Sequence, residues 1–323
     1  MSERAKRPTA TGSGCARQDS ATTAQDTTIQ GGRAELPTYT AEGVTLIAHA
    51  FRGTGRMVSF YTRERGLVEA VAQGIGKPGS SLAPAVELFT HSTLFLAEAR
   101  GADHLSQARV IEPFYELRRD MTRYGYAAVA CELIVRTTEP GQTIPGLFEM
   151  LVSYLHAMRG PTAPSPLAGA AREAGGVRSA ADPRVLSWAF EFAYLELSGI
   201  GPVIDRCPAC GAEGLGGVYV AAQGGTLCGE CAPRDAGGCV VSPGTARTIA
   251  AMRRFDVGAL ERLRLADATR AQVRRLIREH IRYHLDLNLK SEQFVNGLSQ
   301  WEPPPRRSGT RGEVESGGGE DDE

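Results

Sequence analysis

Two C-x-x-C pairs constrain this chain more than anything else in it. Cys207-Pro208-Ala209-Cys210-Gly211 and Cys228-Gly229-Glu230-Cys231 are separated by about 17 residues, the spacing of a four-thiolate zinc site. Two intervening residues let both sulfurs of a pair reach one ion at about 2.3 Å, and two such knuckles close a tetrahedron. Gly211 and Gly229 stand where the backbone must turn tightly to aim amides at sulfur. Val218-Tyr219-Val220 reads as one strand of a hairpin turned at Gly224-Gly225. The competing reading is two disulfides or four unrelated buried cysteines. Four thiolates leave no open coordination position, so the expected zinc is structural. Its binding energy, on the order of 10–16 kcal/mol, becomes folding energy for a segment too Gly-rich to build a core. Cys239 is nearby and reads as a bystander.

The remaining composition suits a soluble chain. Among 323 residues 42% are hydrophobic, and no apolar run is long enough to span a bilayer. The N-terminus has no apolar core of a secretory signal. Cys15 and Cys131 stand alone, and the paired cysteines suit metal, so a reducing cytoplasm is expected. A formal net charge of −1 hides an asymmetry: residues 241–292 carry eleven basic against six acidic residues, whereas the end from Trp301 carries seven acids against three arginines. Such a division hints at a surface facing nucleic acid beside an acidic tail.

Residues 1–40 are rich in Ser, Thr, Ala and Gly, with few large apolar residues, and are expected to be a disordered arm. From residue 41 to 112 the pattern is period two, with short strands at Val44–Ala48, Met57–Thr62, Leu67–Gln73, Val86–Phe89 joined to Ser92–Ala97, and His104–Val110. Five short strands in so few residues fit an OB-fold barrel, with an open antiparallel sheet as the alternative. Residues 113–298 read as helical. One apolar stripe runs from Leu117 through Met121 and Tyr124 to Ile134, and Pro145 suits the first turn of the next helix. Asp182-Pro183 and Ser242-Pro243 pair an N-cap with proline at the first helical position. Residues 161–181 read as a flexible insertion, 205–240 as the zinc segment and 299–323 as a disordered acidic tail. The fold class expected is thus α+β: an N-terminal five-stranded OB-fold barrel, then a helical bundle carrying an inserted four-cysteine zinc segment.

Arg274, Arg278 and Arg282 recur every four residues on one helix face and could bind phosphates, although a charge row is most often a solvated surface. Arg52, Arg56, Arg63 and Arg65 fall in or beside barrel turns, and Lys77 lies in the loop after the third strand. Loops and one sheet face of an OB-fold commonly contact oligonucleotides. The barrel is neutral overall, however, with seven basic and seven acidic residues. His280 and His284 have the spacing of paired ligands, but lie on an apolar stripe without H-E-x-x-H. Gly74-Ile75-Gly76-Lys77 lacks the full phosphate-loop pattern, and no nucleophile elbow occurs. Nothing in the sequence argues for an enzyme.

Three stretches carry a resemblance. The first is Val58-Ser59-Phe60-Tyr61-Thr62-Arg63-Glu64-Arg65-Gly66-Leu67, running on to Ala72-Gln73-Gly74. The second is the cysteine pairs directly after Glu196-Leu197-Ser198-Gly199. The third is Ser242-Pro243-Gly244, followed by Ile281-Arg282-Tyr283-His284-Leu285 and Leu289-Lys290-Ser291. Over roughly residues 41–298 the chain resembles the bacterial RecO recombination-mediator family. The resemblance implies a non-enzymatic, cytoplasmic, nucleoid-associated DNA-repair protein. Such a protein binds single- and double-stranded DNA and anneals complementary strands. It also works with RecR to load RecA onto strands covered by single-strand-binding protein, whose acidic, apolar-ended C-terminal tail it engages. The cysteines Cys207, Cys210, Cys228 and Cys231 match the zinc ligands found in part of the family. The usual basic loop after the third strand is reduced here to Lys77, which shifts the expected DNA contacts toward Arg63, Arg65 and the C-terminal arginines. The runner-up reading is an OB-fold zinc protein that binds RNA or ribosomes.

Overall fold

A computed structural model describes residues 36–160, 181–232 and 238–298. The expected arm up to Glu35, the insertion up to Ala180 and the tail from residue 299 lie outside these described residues.

Alternating apolar residues close the first strands into a barrel. β1 (Thr38–Phe51), β2 (Gly55–Thr62), β3 (Gly66–Ala72), β4 (His91–Ala97) and β5 (Asp103–Glu112) pair in the order β1-β2-β3-β5-β4. All neighbours are antiparallel except β3 and β5, whose parallel register Ala70↔Asp103 to Ala72↔Leu105 seals the cylinder. This is the OB-fold closure, and it decides against an open sheet. Val58, Phe60, Ala70, Ala72, Leu94, Leu96 and Leu105 fill the interior. β1 begins at Thr38, upstream of the expected boundary.

Of the strand expected over Val86–Phe89 and Ser92–Ala97, only the second half forms, as β4. Pro84–Val86 is a single 3₁₀ turn, and Phe89 has φ of 71°, which a strand cannot accommodate. The Phe89 and Thr45 backbones are joined at 2.8 Å, beside the β1 bulge between Thr45 and Ile47, and the Phe89 ring packs edge-on to Tyr124. The apolar residues of 86–89 plug the barrel against the helices.

Helices follow as α1 (Tyr115–Arg119), α2 (Met121–Thr137), α3 (Leu147–Arg159) and α4 (Pro183–Leu197). The stripe read as one helix is cut at Asp120, whose backbone is extended and whose carboxylate accepts the Thr122 and Arg123 amides. Pro145 stands outside α3, because Gly146, at φ 81°, is the residue that turns into the helix. α4 is capped by Asp182 at 2.9 Å with Pro183 in its first turn, as the sequence indicates. It is buried from Val185 to Leu195, so the bundle forms around it.

A small sheet then carries the cysteines. β6 (Gly217–Val220) pairs with β7 (Gly225–Leu227) and with β8 (Cys239–Val241). After it come α5 (Pro243–Met252), α6 (Val257–Arg262), α7 (Asp267–Leu285) and α8 (Lys290–Leu298). Ser242 caps α5 through the Thr245 amide.

Barrel and helices form one body. Gly66, at φ 62°, passes so close to the helical side that a Cβ there would sit 1.8 Å from the Gln142 carbonyl oxygen. The Gly141 amide donates to Leu67 at 2.7 Å, and the Ile144 amide to the Tyr61 hydroxyl at 2.9 Å. Apolar residues of β1 share one core with α2, α3 and α4.

Candidate metal centre and nucleic-acid interface

The two knuckles meet at one end of the small sheet. In the first, the Gly211 amide donates to the Cys207 carbonyl at 2.8 Å, and Gly211 takes φ of 75° to complete the turn. In the second, the Cys231 and Ala232 amides return to the Cys228 carbonyl at 3.2 and 2.9 Å. The β6–β7 hairpin between them brings all four sulfurs within 4.8 Å of one another. The Cys210 and Cys228 sulfurs are 3.8 Å apart. A tetrahedron with metal–sulfur bonds of about 2.3 Å has edges of about 3.8 Å, so the donor set has the dimensions of a metal site. All six described cysteines are free thiols, so the disulfide alternative does not hold.

The electrostatics fit a cation as well. The Cys228 amide, followed by those of Cys210 and Ala209, points at the Cys207 sulfur and lowers its pKa to about 6. Cys231 is driven the other way, to about 12, first by the Cys210 thiol and then by that of Cys228. Sulfurs packed this closely cannot all ionise unless a positive charge sits among them. Cys207, Cys210, Cys228 and Cys231 could therefore hold a metal ion. Cys239 is apart, buried in β8 with its thiol toward the Gln272 carbonyl.

The hairpin is fastened to α7. Tyr219 of β6 and His280 are buried, and the Tyr219 hydroxyl lies 2.6 Å from His280 Nδ1. His280 Nε2 lies 2.6 Å from the Ile200 carbonyl. A carbonyl only accepts, so Nε2 carries the proton and Nδ1 accepts from the tyrosine. Burial lowers the His280 pKa to about 4, which keeps the ring neutral. His280 is thus a structural strut, as its place on the apolar stripe suggests, and His284 is exposed.

The cations singled out in the sequence divide into two sets. Arg63 and Arg65 occupy the β2–β3 turn at the helix-facing end of the barrel. Arg63 pairs with Glu42 at 3.4 Å and with Glu149 of α3, and lies over the Phe148 ring at 4.5 Å. Glu42 also meets buried His91 at 2.7 Å. Arg65 stacks on Tyr39 and reaches Glu98, each at 3.7 Å. These two arginines are thus engaged by acids and rings of the fold itself. Arg278 likewise pairs with Glu292 of α8.

Arg52, Arg56 and Lys77 belong to the opposite end. The Lys77 loop touches the β1–β2 turn, since a Cβ on Gly76 would lie 3.3 Å from Thr54. Arg52 and Lys77 are exposed, and Arg56 is half-buried beside them in β2. Arg274 and Arg282 are exposed on α7. Arg274 borders a cavity of about 140 Å³ shared with Arg184, Glu191, Trp188 and Asn296. Composition could not reveal this division, because it depends on which acids the fold carries to each turn.

Comparison with known proteins follows the same layout. Residues 36–114 match the family model "Recombination protein O N terminal", and residues 118–173 with 176–293 match "Recombination protein O C terminal". The DNA repair protein RecO of Symbiobacterium thermophilum is 30% identical over 264 residues, covering 80% of this chain and 97% of that protein. Its namesake from Pelotomaculum thermopropionicum is 30% identical, covering 81% and 95%. That from Halalkalibacterium halodurans is 26% identical, covering 80% and 95%. With both models matched in order around a closed barrel and a four-thiol centre, the chain belongs to the RecO family of DNA repair proteins.

Proposed function

We propose that this protein is a recombination mediator. It binds single- and double-stranded DNA through phosphate neutralisation and anneals complementary single strands. With RecR, it helps load RecA onto strands covered by single-strand-binding protein, whose acidic tail it engages. The observation that carries this reading is the ordered match to both halves of the family over nearly the whole length of its relatives. The metal is zinc, because four thiolates in a closed tetrahedral set suit a thiophilic, redox-inert dication and leave no coordination position for catalysis.

DNA contact centres on Arg52, Arg56 and Lys77 at the free end of the barrel and on Arg274 and Arg282 of α7, while Arg63, Arg65 and Arg278 support it from their ion pairs. Affinity then falls with salt at a log–log slope near −0.7 per phosphate contact for single strands. The test is annealing of complementary strands coated with single-strand-binding protein, with and without RecR. Accelerated pairing supports the reading, and a protein that neither binds DNA nor speeds annealing refutes it. Among the described residues no helix is long and apolar enough to cross a membrane.

A further inference from the structure

One exposed ring has an unusual foundation. Tyr283, near the end of α7, is 58% exposed, and among the described residues no side-chain hydrogen bond engages its hydroxyl. Its ring nevertheless has an aromatic neighbour. It meets His284 edge-on with centroids 5.1 Å apart, His284 lies 4.3 Å from His280, and His280 lies 6.1 Å from Tyr219 of the cysteine hairpin. The ladder therefore runs from the buried strand beside the metal centre to the surface. Gly224, in the turn of that hairpin, closes against His284 at 3.8 Å from its would-be Cβ. An aromatic ring left facing water brings little folding energy, because burial is what stabilises a ring in a fold. A solvent-facing ring offers its open face to something flat that can stack upon it.

The charge around the ring suits an anionic polymer. Arg282, the preceding residue, is exposed and has no ion-pair partner among the described residues. Glu279, one turn earlier, is occupied by Arg275 at 2.7 Å. Asp286 is the acid left at the helix end, where φ of 50° terminates α7.

We propose that Tyr283 is a stacking platform for an unpaired nucleobase of single-stranded DNA, with Arg282 on the adjoining phosphate, and that the metal-stapled hairpin serves to hold this platform through His280 and His284. The proposal rests on the DNA-binding reading above and adds to it a residue that distinguishes single strands from duplex. In duplex the bases are already stacked inside and offer the ring no face, whereas single-strand binders combine a basic track with aromatic platforms.

The experiment is fluorescence anisotropy of the metal-loaded full chain on a labelled oligothymidine, on the same length of abasic strand, and on a duplex, across a salt series. Tyr283→Ala should weaken oligothymidine binding by about five-fold or more at every salt, with an unchanged salt slope, because stacking releases no counterions. Tyr283→Phe should bind as the parent does. The parent's advantage over Tyr283→Ala should vanish on the abasic strand and on duplex. Arg282→Ala should instead flatten the salt slope, and His284→Ala should fall between the parent and Tyr283→Ala. Metal content and far-ultraviolet circular dichroism establish that each variant is folded. Equal oligothymidine affinity for parent and Tyr283→Ala overturns the platform, as does an equal loss on duplex. A parent chain that binds no single strand overturns the DNA-binding reading itself, a result separable from these.

Discussion

Replacing Gly125 tests how tightly the last helix is docked. Gly125 is the fifth residue of α2, inside the helix, where glycine costs roughly 1 kcal/mol relative to alanine. On an exposed helix face Gly125→Ala would recover that amount. Here a Cβ would stand 2.6 Å from Val295 Cγ2 and 3.2–3.3 Å from two carbons of the Phe294 ring. Carbon contacts are best at about 3.5–4.0 Å, so the valine must move by about 1 Å, and overpacking of that kind costs about 1–3 kcal/mol. Phe294 is partly exposed and can yield, but Val295 is 5% exposed and cannot. The expected result is that Gly125→Ala lowers stability by up to about 2 kcal/mol, the overpacking cost less the recovered propensity. Pairing it with Val295→Ala supplies the control. That change alone removes buried methyls and costs about 1.5 kcal/mol or more. In its background, however, Gly125→Ala should become stabilising, with a coupling of about 1–3 kcal/mol between the two sites. Urea unfolding of the four proteins measures each corner of the cycle, and hydrogen exchange of residues 290–298 shows whether α8 has loosened. If Gly125→Ala stabilises the parent as it would an exposed helix, α8 does not pack on α2 in this way and the reasoning fails.

Other expectations follow from the same contacts. Glu132 accepts the Lys290 and Ser291 amides at 3.0 and 2.8 Å and so caps α8 from another helix. Glu132→Ala should cost about 1–2 kcal/mol in urea melts and speed exchange in α8, and unchanged protection there would contradict this role. Cys210→Ser, or chelation, should abolish metal content and unfold the β6–β7 hairpin while the barrel persists; retention of a native hairpin spectrum without metal would disprove the staple. Glu191 is buried in α4, and desolvation, then the Glu292 charge, raises its pKa to about 8 against the opposing Ser187 bond and Arg278. The folded state therefore holds a proton that the unfolded state loses near pH 4.5. This contribution is fully present below that pH and is lost as pH rises through about 8, at no more than about 1.4 kcal/mol per pH unit. Glu191→Gln should flatten the dependence and raise stability at pH 8 relative to the parent, and parallel curves would rule the assignment out.

Local chemistry made much of this architecture legible in advance. Asp182-Pro183 and Ser242-Pro243 start helices because a capping oxygen and a fixed φ act within three residues. The cysteine knuckles behave likewise, since each is a turn closed by its own amides. Residues 86–89 misled because an apolar run is the same whether it forms a strand or a plug, and the contact with Thr45 that decides between them lies some forty positions away. The break at Asp120 and the start of α3 at Gly146 show that a capping or left-handed residue overrides apolar periodicity.

What the amino-acid order determined alone, then, is whatever depends on neighbours along the chain: the strand alternation, the caps, the spacing of the four thiols and the surplus of arginine after residue 241. Tertiary structure decided which cations remain available. Arg63 and Arg278 look no different in sequence from Arg52 and Arg274, but folding brings Glu149 to one and Glu292 to the other. It also decided that Tyr283 faces water on a ladder rooted in the cysteine hairpin. The reason is physical: propensity and capping energies are local, whereas ion pairing and ring contacts depend on distances that exist only after the barrel and helices have packed.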